Sequence, residues 1–271
     1  MRRAVLLLAT MALATLLASG MAQAIINGEP DTGKGAHPYV GALVTEFEVA
    51  EGETELLPAC SGTLISPTVF LTAGHCTEFL IADDLPTFVS FDPTYVPGES
   101  KLISGTPYLH PRYCLPFCRP GLPGFAAYDV GVVVLDEPVR RATYGELPPA
   151  RLVDTLPTGQ PLTVVGYGAS DIEVGGGPPR DVYLDIRQRA DVRLLSTTNR
   201  IGKMSIKTSA GGPGRGGEGA CRGDSGGPVF LPDQKTIVAV VSFGPNGPCA
   251  GVGYDQRVDL PAVLSWVRSF L

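Results

Sequence analysis

The stretch Cys221-Arg222-Gly223-Asp224-Ser225-Gly226-Gly227-Pro228 sets one serine among glycines. Gly223, Gly226 and Gly227 carry no Cβ, so the backbone can turn tightly there and come close to another chain. Such a turn can aim N–H groups at the point where a carbonyl oxygen becomes an oxyanion. Ser225 is therefore the candidate nucleophile, and the N–H groups of Gly223 and Ser225 are the candidate oxyanion donors. A serine hydroxyl needs a base to attack. The chain has three histidines, His37, His75 and His110, and all precede Ser225. The turn also fits a G-x-S-x-G pattern in which the histidine follows the serine. No histidine does so here, which leaves the order His, Asp, Ser.

His75 closes the run Leu71-Thr72-Ala73-Gly74-His75-Cys76, and Asp129 opens the apolar run 130–135. Each is ordinary alone: a histidine at a strand end, an aspartate capping a turn. Together with Ser225 they form a working set. A buried aspartate fixes the imidazole tautomer, and the imidazole takes the serine proton. His37 and His110 are expected to be plain loop residues.

The elements that must hold this set are strands. The chain carries 34 glycines and 25 prolines in 271 residues, with little charge and few long helical patterns, which points to an all-β protein rich in turns. Strands are predicted over 39–45, 62–65 and 69–72, the last two joined through Ser66-Pro67 as a hairpin. Residues 46–58 are acidic and predicted to be an exposed loop. The run 130–135 reads as a buried strand, and 108–124, with four prolines, as loop. Residues 138–159 are the candidate linker between two halves. Strands are predicted again at 162–166, 182–192, 229–231 and 237–243, with a glycine-rich loop at 211–219. Asp259 is predicted to cap a last helix over 260–270, apolar on one face.

Residues 1–24 read as a secretory signal: Arg2 and Arg3, an apolar run, and Ala22-Gln23-Ala24 as a small-x-small cleavage site. The apolar run is short for a bilayer span. Loss of Arg2 and Arg3 takes the net charge from −6 to −8. No basic cluster is present, so nucleic acid is not an expected partner, nor is a membrane once the signal is removed. Six cysteines in an exported chain favour disulfides over metal ligands. Spacing alone leaves fifteen pairings open.

Residues 25–271 resemble the chymotrypsin-fold (trypsin-like, S1 family) serine proteases. Four motifs carry the resemblance: Ile25-Ile26-Asn27-Gly28, residues 71–76, residues 128–135 and residues 220–228. It implies two six-stranded antiparallel β-barrels, about 25–140 and about 160–271, with the active site in the cleft between them and a helix at the C-terminus. It makes His75 the general base, Asp129 its orienter, Ser225 the nucleophile, and Gly223 and Ser225 the oxyanion hole. It implies the bridges Cys60–Cys76 and Cys221–Cys249. Cys114 and Cys118 match no common pair and are assigned to each other; a His110, Cys114, Cys118 metal site is the rival, one ligand short of a closed tetrahedron. Ser242-Phe243-Gly244 matches the strand that pairs with substrate.

In trypsin-like members an Asp six residues before the nucleophile forms the pocket floor. Here Gly219 stands at that place, beside Ala220, so an uncharged P1 residue is expected, with Gly244 and Gly253 leaving room. Glu218 and Asp255 are the acids able to alter this. The resemblance also pairs a new Ile25 amino terminus with Asp224. With no residue between Ala24 and Ile25, signal removal alone is expected to release it. The expected protein is a secreted (extracellular or periplasmic) monomeric endopeptidase without cofactor or metal. Its expected partners are protein or peptide substrates and a protein inhibitor. The rival function is a catalytically silent binding protein on the same scaffold.

Overall fold

The computed structural model describes residues 25–115, 126–173, 180–198, 203–211, 217–244 and 249–271. The elements run β1 (Glu29–Pro30), β2 (Val40–Ala50), β3 (Glu53–Leu64), β4 (Val69–Thr72), α1 (Gly74–Ala82), β5 (Phe88–Ser90), β6 (Ile103–Leu109) and β7 (Gly131–Leu135). After a 3-10 turn at Leu152–Thr155 come β8 (Pro161–Gly166), β9 (Asp171–Glu173), β10 (Arg180–Val182), β11 (Gln188–Ser196), β12 (Ser205–Ala210), β13 (Pro228–Phe230), β14 (Ile237–Phe243), β15 (Gly251–Arg257) and α2 (Pro261–Arg268).

Strands β2-β3-β4-β7-β6-β5 close into one antiparallel barrel. The order β11-β12-β15-β14-β13-β8 closes a second, through the β8–β11 ladder, and β1 adds to its β11 edge. The fold is thus all-β with two six-stranded barrels and a short C-terminal helix. Closure removes free sheet edges, and the inward residues of each barrel form its core. Strand β7, Gly-Val-Val-Val-Leu, runs between β4 and β6 and is buried along nearly its whole length. Its β-branched run suits a strand covered on both faces.

Five sequence expectations change. Residues 46–58 are not a loop: β2 and β3 stay paired through Glu46↔Leu56 and Phe47↔Glu55, and turn at Gly52 with φ +74°. Polar residues on an exposed two-stranded ribbon look like loop in sequence, yet the ladder simply continues outward. Residues 74–82, where the sequence reading predicts no helix, form one. Asp259 does not cap α2. Its carboxylate is buried, accepting from Arg257 Nε (2.8 Å) and Val153 N–H (2.8 Å), and Leu260 occupies the cap position. The strand expected over 182–192 is β11, shifted to Gln188–Ser196.

The fifth concerns His37 and His110, which are not plain loop residues. His37 is buried, stacks on Phe230 at 5.3 Å, and shares the Asp31 carboxylate with Arg187 Nε (2.7 Å). This network ties the segment before β2 to the second barrel. His110 is also buried, stacking on Tyr128 at 4.9 Å and meeting Trp266 of α2 edge-on. The apolar face of α2 (Val263, Leu264, Val267) joins the same cluster as Val69, Phe70 and Val132 of the first barrel. The chain therefore ends strapped across its first half.

Candidate active site

His75 is the second residue of α1, a helix whose preceding Ala73 offers no side-chain cap. The first N–H groups of a helix lack internal partners and favour a nearby anion. Asp129 supplies it: Oδ1 accepts the His75 backbone N–H at 2.7 Å while Oδ2 meets His75 Nδ1 at 2.9 Å. One carboxylate thus seats both the helix start and the ring. The Asp129 side chain is 1% exposed and that of His75 28%, so the acid is sealed and the imidazole remains open to a substrate.

Two more groups fasten Asp129. The Ser242 hydroxyl donates to Oδ2, and the Asp129 N–H donates to Gln256 Oε1 at 3.0 Å. Gln256 is itself fixed by donating to the carbonyls of Met204 and Arg257. The preceding Tyr128 has φ +53°, a costly conformation for a bulky residue. It is held there between the His110 ring and the Arg112 guanidinium, 4.1 Å from the ring centre. Burial would raise the Asp129 pKa, but the His75 charge and the hydrogen bonds from His75 and Ser242 more than offset it and hold it low. For His75 burial lowers the pKa, and the Asp129 charge and hydrogen bond carry it above its ordinary value of 6.5.

Ser225 follows a turn with Gly223 at φ +92° and Gly226 at φ +80°. A Cβ on Gly226 would lie 2.1 Å from Thr72 Oγ1, so only glycine fits. The Ser225 carbonyl accepts the Ser61 N–H at 2.8 Å, and Cys76 Sγ lies 3.7 Å from the same oxygen. The serine of the second barrel therefore sits against the neighbour of His75 in the first. The Ser61 hydroxyl donates to the Gly223 carbonyl (2.9 Å) and accepts the Tyr167 N–H (2.9 Å), which braces the turn that carries both candidate oxyanion donors. The bridges Cys60–Cys76 and Cys221–Cys249 are present. Cys114 is disulfide-bonded; its expected partner Cys118 lies outside the described residues. Among the described residues Cys60, His75 and Cys76 cluster in the manner of metal ligands, but both sulfurs belong to the bridge.

Beside Ser225 opens a cavity of about 410 Å³. Ala220, Ser242, Phe243, Gly244 and Gly253, the candidate substrate-binding residues, line it. Gly219 does not line it. Its backbone pairs with Ile26 at 3.1 and 3.2 Å, and a Cβ there would strike Ala210. Asp255 lines the cavity instead. Ile25 is fully buried, and Ile26 packs with Ala169 and Cys221. The Asp224 carboxylate, also buried, accepts the N–H groups of Gly168 and Cys221 at 2.8 Å each. In the intact chain the Ile25 nitrogen is an amide, so no charge pairs with Asp224 from that side.

Two barrels, a histidine–aspartate pair on one and a glycine-flanked serine on the other define a serine endopeptidase of the chymotrypsin fold. The Trypsin family profile matches residues 25–267. A trypsin of Sarcophaga bullata is 30% identical over 98% of this chain and 96% of its own. The glucanase inhibitor protein 3 of Phytophthora sojae is 27% identical over 87% and 82%. Among solved structures, one titled HL collagenase superposes with a TM-score of 0.65 at 21% identity, covering 90% of this chain and 97% of that one. The chain belongs to the trypsin family. The sequence reading missed Gln256, Ser61, and the Tyr128–His110 stack, and gave Ser242 only a substrate role. Gln256, Ser61 and Ser242 act here through partners more than 100 residues away, which no local pattern announces.

Proposed function

We propose that the protein is an exported endopeptidase that cleaves protein or peptide chains through an acyl-enzyme on Ser225. His75 takes the Ser225 proton and returns it to the leaving amine. Asp129 holds the ring with Nε2 free and stabilises the imidazolium. The N–H groups of Gly223 and Ser225 receive the oxyanion. The observation that carries this reading is the two-point grip of Asp129 on His75, backbone and ring, beside the braced Ser225 turn. Residues 1–24 act as the export signal; among the described residues no helix is long and apolar enough to cross a membrane.

A relative named as an inhibitor gives the silent-scaffold reading its footing. One reaction separates the two. An uncharged fluorophosphonate is expected to phosphonylate Ser225 stoichiometrically, since only an activated serine attacks it. A folded, Ile25-started chain that stays unlabelled would establish the silent reading.

Activation is read from Ile25 and Asp224. Freed by cleavage after Ala24, the Ile25 ammonium pairs with the buried Asp224 and orders the oxyanion turn. The Ile26–Gly219 pairing, two residues from Cys221, supports this by seating the terminus beside that turn. A form retaining Ala24 is expected to lose about 10²–10³ in kcat. Stability supplies a second readout. In the intact chain burial pushes Asp224 up to about 7, against hydrogen bonds from Cys221 and Gly168 that lower it. A carboxyl raised in the folded state binds more protons folded than unfolded between about pH 4 and 7, so stability falls as pH rises through that window. A paired ammonium removes the loss. The Ile25-started form should therefore gain on the Ala24 form from pH 4.5 to 7, by on the order of 2 kcal/mol in denaturant titrations. Full activity and an unchanged gap with Ala24 retained would disprove the terminal pair.

A further inference from the structure

We propose that Asp255 is the specificity-determining acid of this enzyme, receiving the cationic end of a P1 lysine or arginine inside the cavity beside Ser225. This rests on the protease reading above and reverses the uncharged P1 preference expected from Gly219.

Strand β15 lies between β12 and β14, with Gly253 opposite Thr208 and Asp255 opposite Val241. Gly253 and Asp255 are two residues apart, so they point to the same face. That face lines the cavity, together with Ser225. Asp255 is the more deeply set of the two, at 2% exposure. Its Oδ2 accepts the Thr208 hydroxyl at 2.7 Å, and no cation pairs with it among the described residues. Burial pushes its carboxyl up to about 7, the Thr208 bond acting the other way. A buried carboxylate with one hydrogen bond is costly, and a matching cation relieves that cost.

The cavity walls suit a side chain with an apolar stem and a charged tip. Val164, Val192, Val241 and Val252 contribute apolar lining, against which the methylenes of lysine or arginine can pack while the head reaches the acid. The other charged group on the wall, Arg222, is paired with Asp181 and so does not oppose an entering cation. Glu218, the second acid near Gly219, turns away and accepts the Asp191 N–H at 3.1 Å. Asp255 is therefore the acid left to read the P1 residue.

The test is a peptide library with the Ile25-started enzyme, followed by matched single substrates. Lys and Arg at P1 are expected to exceed Leu and Phe by more than tenfold in kcat/KM. Asp255→Asn should cut kcat/KM for the cationic substrates by more than tenfold and collapse that ratio. A second measurement covers a variant that fails to fold. On the wild type, benzamidine should slow fluorophosphonate labelling of Ser225, whereas benzamide, of the same shape without the charge, should not. An enzyme that labels yet prefers uncharged P1 residues, or keeps its cationic preference as Asp255→Asn, overturns the assignment alone. So does equal protection by the two compounds. A wild type that does not label at all removes the protease reading, and this assignment with it.

Discussion

Ser225→Ala should lower kcat for peptide hydrolysis by about 10⁶ with the fold intact. The magnitude follows from removing the nucleophile of a set that acts as one unit, and His75→Ala on top of it should add little. Stability should not follow activity. The contacts that place residue 225 run through its backbone: the carbonyl takes the Ser61 N–H, and the neighbouring Gly226 N–H donates to Val241. The two bridges flanking the turn, Cys60–Cys76 and Cys221–Cys249, are untouched. Turnover per mole of purified, folded protein for both single variants and the double gives the check, with denaturant midpoints as the fold control. Near wild-type turnover by purified Ser225→Ala would end the mechanism; additive losses would mean the two residues act in separate steps.

The second-largest effect is expected for Asp129→Asn, about 10⁴ in kcat near neutral pH. The carboxylate accepts from three donors: the His75 backbone, His75 Nδ1 and the Ser242 hydroxyl. An asparagine has one accepting oxygen and presents N–H groups in place of the other. A ring facing an N–H carries its own proton on Nε2, the atom that must accept from Ser225. The pH profile separates this from loss of packing. A base must be neutral to act, so kcat/KM of the wild type rises with pH through the His75 pKa, which Asp129 holds above 6.5. Without the Asp129 charge, burial is the dominant remaining influence and lowers that pKa, so the inflection of the variant should move to lower pH. A variant within tenfold of wild type, with the same inflection, would show that Asp129 does not govern His75.

These effects trace to residues that the chain spells out locally. A serine among glycines, a histidine after an apolar strand and an aspartate opening another are short-range patterns, and they named Ser225, His75 and Asp129 without coordinates. The glycine turn is of the same kind: φ of +92° and +80° at Gly223 and Gly226 is a backbone demand that residue type alone announces. The strand runs 69–72, 162–166 and 237–243 and the all-β class were legible for a similar reason, since β-branched runs and turn residues act over a few positions, whereas the two-barrel arrangement came from the family resemblance.

What the sequence could not say is which way a strand side chain faces and what lies across from it. Asp255 and Gly219 show this most clearly. Counting back from Ser225 pointed to a neutral floor, yet Gly219 is drawn off to pair with Ile26, 193 residues earlier. Asp255 enters the cavity because β15 is registered between β12 and β14. A slip of one residue would reverse every side chain on that strand. The same holds for Gln256, which reaches back 127 residues to the Asp129 N–H, and for His37, which reaches 197 residues forward to Gln234. Residue type and short spacing determine which chemistry is available. Strand register, set by pairings between distant segments, determines which of those groups meet and what the cavity beside them recognises.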